Sequence, residues 1–162
     1  MPATAGEPAR PAEYKIKAEF LCNFTLFVRW DSACTGEVFT IGVLGTDPFG
    51  DLLDSTVAGQ RVAGKPIRIA RSSRPEDLSG SQVVFVARTS EDEAAAALSR
   101  LKRPCLLTVG EQEHFAAQGG VIEFVTLQDR VNFVINVSAA RDAGLDVSSR
   151  LERVAASVLL EE

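Results

Sequence analysis

Side chains able to attack, shuttle protons or hold a metal are few in this 162-residue chain. The one histidine, His114, stands in the polar stretch Glu111-Gln112-Glu113-His114. A metal centre needs several ligands and no second histidine exists to join it, so His114 reads as a solvated histidine on a helix surface and no metal site is expected. Three cysteines, Cys22, Cys34 and Cys105, allow at most one internal disulfide and leave one thiol over. Cys22 and Cys105 sit in apolar runs, where a buried free thiol is common. The sequence leaves open whether Cys34 pairs with Cys22, with Cys105 or with neither. No C-x-x-C spacing supports a zinc knot or a thioredoxin-like pair.

Nucleophilic catalysis finds no G-x-S-x-G elbow. Gly42-Val43-Leu44-Gly45, followed by Asp47 and Gly50, matches neither G-x-G-x-x-G nor G-x-x-x-x-G-K-[ST]. It reads as a strand-to-helix turn, although the carboxyl end of a strand is where open α/β sheets bind ligands. Acidic pairs such as Asp92-Glu93 suit solvated faces. Arg130 precedes an apolar strand. Its guanidinium suits a carboxylate or phosphate, and the plainer reading is an exposed hairpin arginine. Asn23 interrupts a phenylalanine-rich helix and Asn136 an apolar strand; each needs hydrogen-bond partners there, such as those that brace a loop or helix end.

The elements that position these residues follow from hydrophobic periodicity. Ile16, Phe20, Phe24 and Phe27, widened by Leu21 and Val28, predict an amphipathic helix over 13–30, with Lys17, Glu19 and Arg29 towards its other side. Runs at 38–44, 67–70, 82–87 and 105–109 predict strands. Asp47 and Pro48 predict a helix start, Ser90 with Glu93 a capping box, and 111–117 a short helix closed by Gly119-Gly120. Strands at 121–126 and 131–137, joined by Leu127-Gln128-Asp129-Arg130, predict a hairpin. Ser138 is the expected cap of a brief helix ending at Gly144. A last helix from Ser148 or Ser149 presents Leu151, Val154, Ala155, Val158 and Leu159. Strands alternating with helices predict a single-domain three-layer α/β sandwich, its mixed sheet mostly parallel with a C-terminal antiparallel hairpin and helices on both faces. Residues 1–12, polar and Pro-rich, read as a disordered leader before a domain at 13–162, and not as the apolar core of a signal peptide.

Apolar residues make up 46% of the chain, enough for a core. A net charge of −5 without a Lys/Arg run argues against a nucleic-acid partner. The longest apolar stretches fall far short of the ~20 residues a membrane helix needs, so direct insertion into a membrane is not expected.

Two longer segments carry a resemblance. The first is Ile16-Lys17-Ala18-Glu19-Phe20-Leu21-Cys22-Asn23-Phe24-Thr25-Leu26-Phe27-Val28-Arg29-Trp30. The second is Arg130-Val131-Asn132-Phe133-Val134-Ile135-Asn136, running on through Ala139-Ala140-Arg141-Asp142-Ala143-Gly144-Leu145 to Ser148-Ser149-Arg150-Leu151. Between them lie Ile41-Gly42-Val43-Leu44-Gly45-Thr46-Asp47-Pro48-Phe49-Gly50 and Gly119-Gly120-Val121-Ile122-Glu123-Phe124. In this order and spacing the chain resembles the YfiR family of bacterial periplasmic proteins over roughly residues 14–157. The resemblance implies a secreted regulator without catalysis or cofactor. It implies a partner, the periplasmic sensor domain of a membrane-bound diguanylate cyclase, whose repression lowers cyclic di-GMP and biofilm formation. It marks Asn23, Arg130 and Asn136 as shared positions, either ligand contacts or fold signatures. A homodimer through the partner-binding patch is a further expectation, and a small-molecule sensor with its pocket at the carboxyl ends of the strands is the alternative.

Overall fold

A computed structural model describes residues 11–30, 34–101, 103–155 and 157–159. Residues 1–10 of the expected leader lie outside the described residues, and Pro11 and Ala12 already belong to the first helix.

Helix α1 spans Pro11–Phe27 and passes directly into strand β1, Val28–Arg29. Strand β2 is Phe39–Leu44, helix α2 Asp51–Val57, strand β3 Arg61–Val62 and strand β4 Lys65–Ser72. A 3-10 turn at Pro75–Leu78 leads to β5, Val83–Val86, then α3, Glu91–Leu101, and β6, Leu107–Gly110. The hairpin is β7, Ile122–Leu127, with β8, Arg130–Asn136. Helix α4, Val137–Asp142, strand β9, Asp146–Val147, helix α5, Ser149–Val154, and strand β10, Ser157–Leu159, are the last elements among the described residues.

Eight strands form one sheet in the order β10-β8-β7-β6-β5-β2-β4-β3. Its pairings are parallel except β7 with β8 and β3 with β4. Strands β1 and β9 form a separate antiparallel pair. Alternation along β5 shows the layers: Val83 and Phe85 enter one core, Val84 and Val86 the other. The first core is closed by Tyr14, Ala18, Leu21 and Phe24 of α1, Leu53 and Val57 of α2, Ala140 of α4 and Leu151 of α5. The second is closed by Leu78, by Ala94, Leu98 and Leu101 of α3, and by Phe115. Strands buried on both faces read as continuous apolar runs, which is why β2, β5 and β6 were legible.

Several local expectations are corrected. The buried face of α1 is rotated from the predicted stripe: Lys17 is buried at 2% exposure while Ile16 is 42% exposed. Asp47 does not cap α2. Its carboxylate accepts from the Phe49 amide at 2.8 Å in a local turn, and the helix starts after Gly50. Residues 111–117 form turns and not a helix, because Phe115 folds back between two glycines. A Cβ on Gly110 or Gly120 would meet the Phe115 ring at 2.6 or 2.2 Å. Asn136, and not Ser138, caps α4. The final helix ends at Val154, and Val158 and Leu159 lie in β10, parallel to β8. A strand there satisfies the backbone of β8 on its open side, which a continued helix would leave unpaired.

Candidate functional site

Strand β2 leads to β4 on one side, whereas β5 leads to β6 on the other, so the strand order reverses between β2 and β5. In open α/β sheets ligands gather at the carboxyl ends near such a reversal. Here the first turns of α1 reach those ends, through the contacts of Tyr14 and Lys17 with Glu111 just past β6. A groove of about 860 Å³ opens between the first turns of α1 and the β7–β8 hairpin. Ile16, Phe20 and Val131 give it an apolar floor, and Arg88 and Arg130 stand on it from two different elements.

Beneath the groove is a buried polar cluster centred on Glu111, the first residue after β6. Tyr14 donates its hydroxyl to Glu111 Oε1 at 3.0 Å and to Oε2 at 3.1 Å. Lys17 Nζ donates to Glu111 Oε1 at 2.7 Å and to Glu13 Oε2 at 2.6 Å. The Arg88 amide donates to Glu111 Oε2 at 3.2 Å, and the neighbouring Thr89 amide to Gln112 Oε1 at 3.2 Å. The Lys17 ammonium also sits 4.7 Å from the Tyr14 ring centroid and 5.6 Å from that of Phe124. Burial, and then the Glu111 charge, push the Tyr14 phenol well above its ordinary pKa. Tyr14 is therefore a fixed donor at physiological pH. One carboxylate thus ties α1 to the segment after β5, so the groove's walls are held before any ligand arrives.

The sequence-predicted residues are scattered. Arg130 lines the groove, at the first position of β8. It follows a two-residue turn in which Gln128 and Asp129 have φ of 51° and 64°, the twist a tight hairpin requires. Asn23 is on the exposed side of α1. Asn136 is at the opposite end of β8 and buried. Its Oδ1 accepts from the Ala139 amide at 2.9 Å and its Nδ2 donates to the Ala116 carbonyl at 2.8 Å. Its amide braces two segments beside a second cleft of about 640 Å³ that Thr108, Gln118 and Asp142 also line.

The turn after β2 carries an ion cluster of its own. Arg71 reaches Asp47 at 2.5 Å and Asp54 at 2.7 Å, and donates to the Gly50 carbonyl at 3.1 Å. The Gly45 and Phe49 amides of this turn are taken by the Ser72 carbonyl and the Asp47 carboxylate, so they are not free to cradle a phosphate. His114 is 61% exposed and lies against the Glu91 carboxylate, which raises its pKa by favouring the protonated ring. Among the described residues, no group of three or more His, Cys, Asp or Glu is placed to hold a metal ion.

Cys34 and Cys105 are joined by a disulfide. Cys22 is a buried free thiol whose pKa is pushed up by that burial. Among the described residues, no helix is long and apolar enough to cross a membrane.

Lys17, Glu111 and Arg88 were not identified from sequence. The available signal for Glu111 was its place directly after a buried strand. Lys17 follows Tyr14 by three positions, on the face that also carries Leu21 and Phe24.

Among solved structures, the chain is similar to a conserved domain protein from Vibrio cholerae O1 biovar El Tor, with a TM-score of 0.58 and 13% identity over 90% of this chain and 60% of that one. It is also similar to an ABC domain in complex with L-Trp from Streptococcus pneumonia, with a TM-score of 0.53 and 14% identity over 88% of this chain and 62% of that one. At such identity these likenesses show an α/β fold, and the chain spans about three fifths of each neighbour's length. No curated protein matches the chain. Residues 14–156, nearly the whole described domain, match the YfiR/HmsC-like family, and the chain belongs to that family.

Proposed function

We propose that this chain is a periplasmic regulator that binds the periplasmic domain of a membrane-bound diguanylate cyclase and represses it, lowering cyclic di-GMP signalling and biofilm formation. The family match over residues 14–156 is the observation that carries this reading. The Cys34–Cys105 disulfide supports it, since such a bond persists in an oxidising compartment. Regulation of this kind needs a surface and a conformational preference. A repressor shifts its target only by the difference in its affinity for the two states, and a hundredfold preference moves the equilibrium by about 2.7 kcal/mol. The test is reconstitution. Purified chain added to the periplasmic side of membranes holding the full-length cyclase should lower cyclic di-GMP output and bind the isolated periplasmic domain. Unchanged output together with no binding would refute the reading.

The groove at the carboxyl ends of the parallel strands favours a second reading, a small-molecule sensor. A ligand that binds only the folded chain raises its Tm, so a thermal-shift screen of small metabolites addresses it.

A further inference from the structure

We propose that the groove between α1 and the β7–β8 hairpin docks an acidic segment of the protein partner, its apolar side chain on Ile16, Phe20 and Val131 and its carboxylates against Arg88 and Arg130. This rests on the regulator reading above.

The chain has a net charge of −5, and several of its arginines are held within the fold: Arg71 by Asp47 and Asp54, Arg74 and Arg100 by Glu76, Arg103 by the carbonyls of Leu78 and Ser81. The guanidiniums of Arg29, Arg68, Arg141, Arg150 and Arg153 are, among the described residues, as free as those of Arg88 and Arg130, but none of these five lines the groove. Among the described residues, the guanidiniums of Arg88 and Arg130 have no hydrogen-bond or ion-pair partner, although both line one groove. Of the groove's own carboxylates, Glu13 is held by Lys17, and Asp129 forms no bridge to either arginine. Two free cations facing one concavity select a ligand with negative charge.

The floor of the groove is apolar. Ile16 stays 42% exposed there, beside the part-buried Phe20 and Val131. A ligand of charge alone would leave that surface wet, whereas a segment with an apolar residue next to Asp or Glu covers both.

The groove's walls are held in place by the fold. The backbone of Arg88 is fixed through Glu111, and that of Arg130 by the tight hairpin turn. Neither wall has to order on binding, which keeps the entropic cost low.

The experiment titrates the cyclase's isolated periplasmic domain into the intact chain, as wild type and as Arg88→Glu/Arg130→Glu. The expected result is affinity weakened roughly tenfold or more, with a flatter dependence on salt. Arg61→Glu/Arg68→Glu changes the net charge equally on the far edge of the sheet and should leave affinity within about twofold of wild type. If wild type binds and the groove reversal binds equally well, the docking site is elsewhere and the regulator reading stands. If wild type does not bind, the regulator reading fails and takes this proposal with it. If free glutarate raises the Tm of wild type but not of the groove reversal, while partner affinity is equal in both, the groove belongs to a small acid and the proposal is overturned.

Discussion

Glu111 accepts from a phenol, an ammonium and a backbone amide, and its side chain is only 2% exposed. A buried charge of this kind is tolerable because every neighbour is a donor. Removing it strands the Lys17 ammonium, which is 3% exposed and keeps only Glu13. Glu111→Ala should therefore cost about 3 kcal/mol, the lower end for breaking a buried pair, because Glu13 remains. Urea denaturation measures it. Replacing both partners, Glu111→Leu with Lys17→Met, should recover part of that loss, since two apolar side chains avoid the desolvation both ions incur, while the Tyr14 hydroxyl and the Arg88 amide still lose their acceptor. A double variant as unstable as the single one would show that the cluster contributes more than charge compensation. None of this was legible in the sequence, where Lys17 reads as a solvated lysine and Glu111 as one carboxylate in a polar stretch. A charged residue's burial depends on donors from distant segments, here 94 positions away for the Lys17–Glu111 contact.

At the scale of elements, regular segments with strong periodicity were the legible ones. The double-faced strands β2, β5 and β6 and the hairpin lie where apolar runs and turn residues put them. Segment 111–118 was not legible, because its polar residues suit a helix surface and its turns exist to bury Phe115. Glu123 closes that loop: its carboxylate accepts from the Ala116 amide at 3.0 Å and the His114 amide at 3.3 Å. Phe115→Ala should cost about 3–5 kcal/mol as a deleted core aromatic. Gly120→Ala should cost about 1–3 kcal/mol, because its Cβ would collide with the ring. In the Phe115→Ala background the Gly120→Ala cost should fall well below its cost in wild type, which a double-mutant cycle reads directly. An additive cycle would mean that Gly120 is required for its backbone alone. The end of the chain taught the same lesson: Val154, Ala155, Val158 and Leu159 have helical spacing, yet the open side of β8 draws the last of them into a strand.

At the scale of the whole molecule, the Cys34–Cys105 disulfide joins the segment before β2 to the segment before β6 across a separation of 71 residues. Closing a loop of that length stabilises the fold by about 4 kcal/mol on the chain-entropy estimate. The Cys34→Ser/Cys105→Ser variant should lose stability of that order in chemical denaturation. Thiol titration should find the buried Cys22 unreactive in the native chain, one thiol after unfolding and three after reduction. A native chain with three reactive thiols would contradict the pairing. By itself the sequence determined the class of fold, the core strands, the hairpin and the family, because those depend on local periodicity and on residues read in order. Only the tertiary structure decided which cysteines pair, which face of α1 is buried, and that Arg130 shares a groove with Arg88 while Asn23 and Asn136 lie apart from it. Each of those depends on a contact between segments far apart in the chain, which residue spacing does not encode.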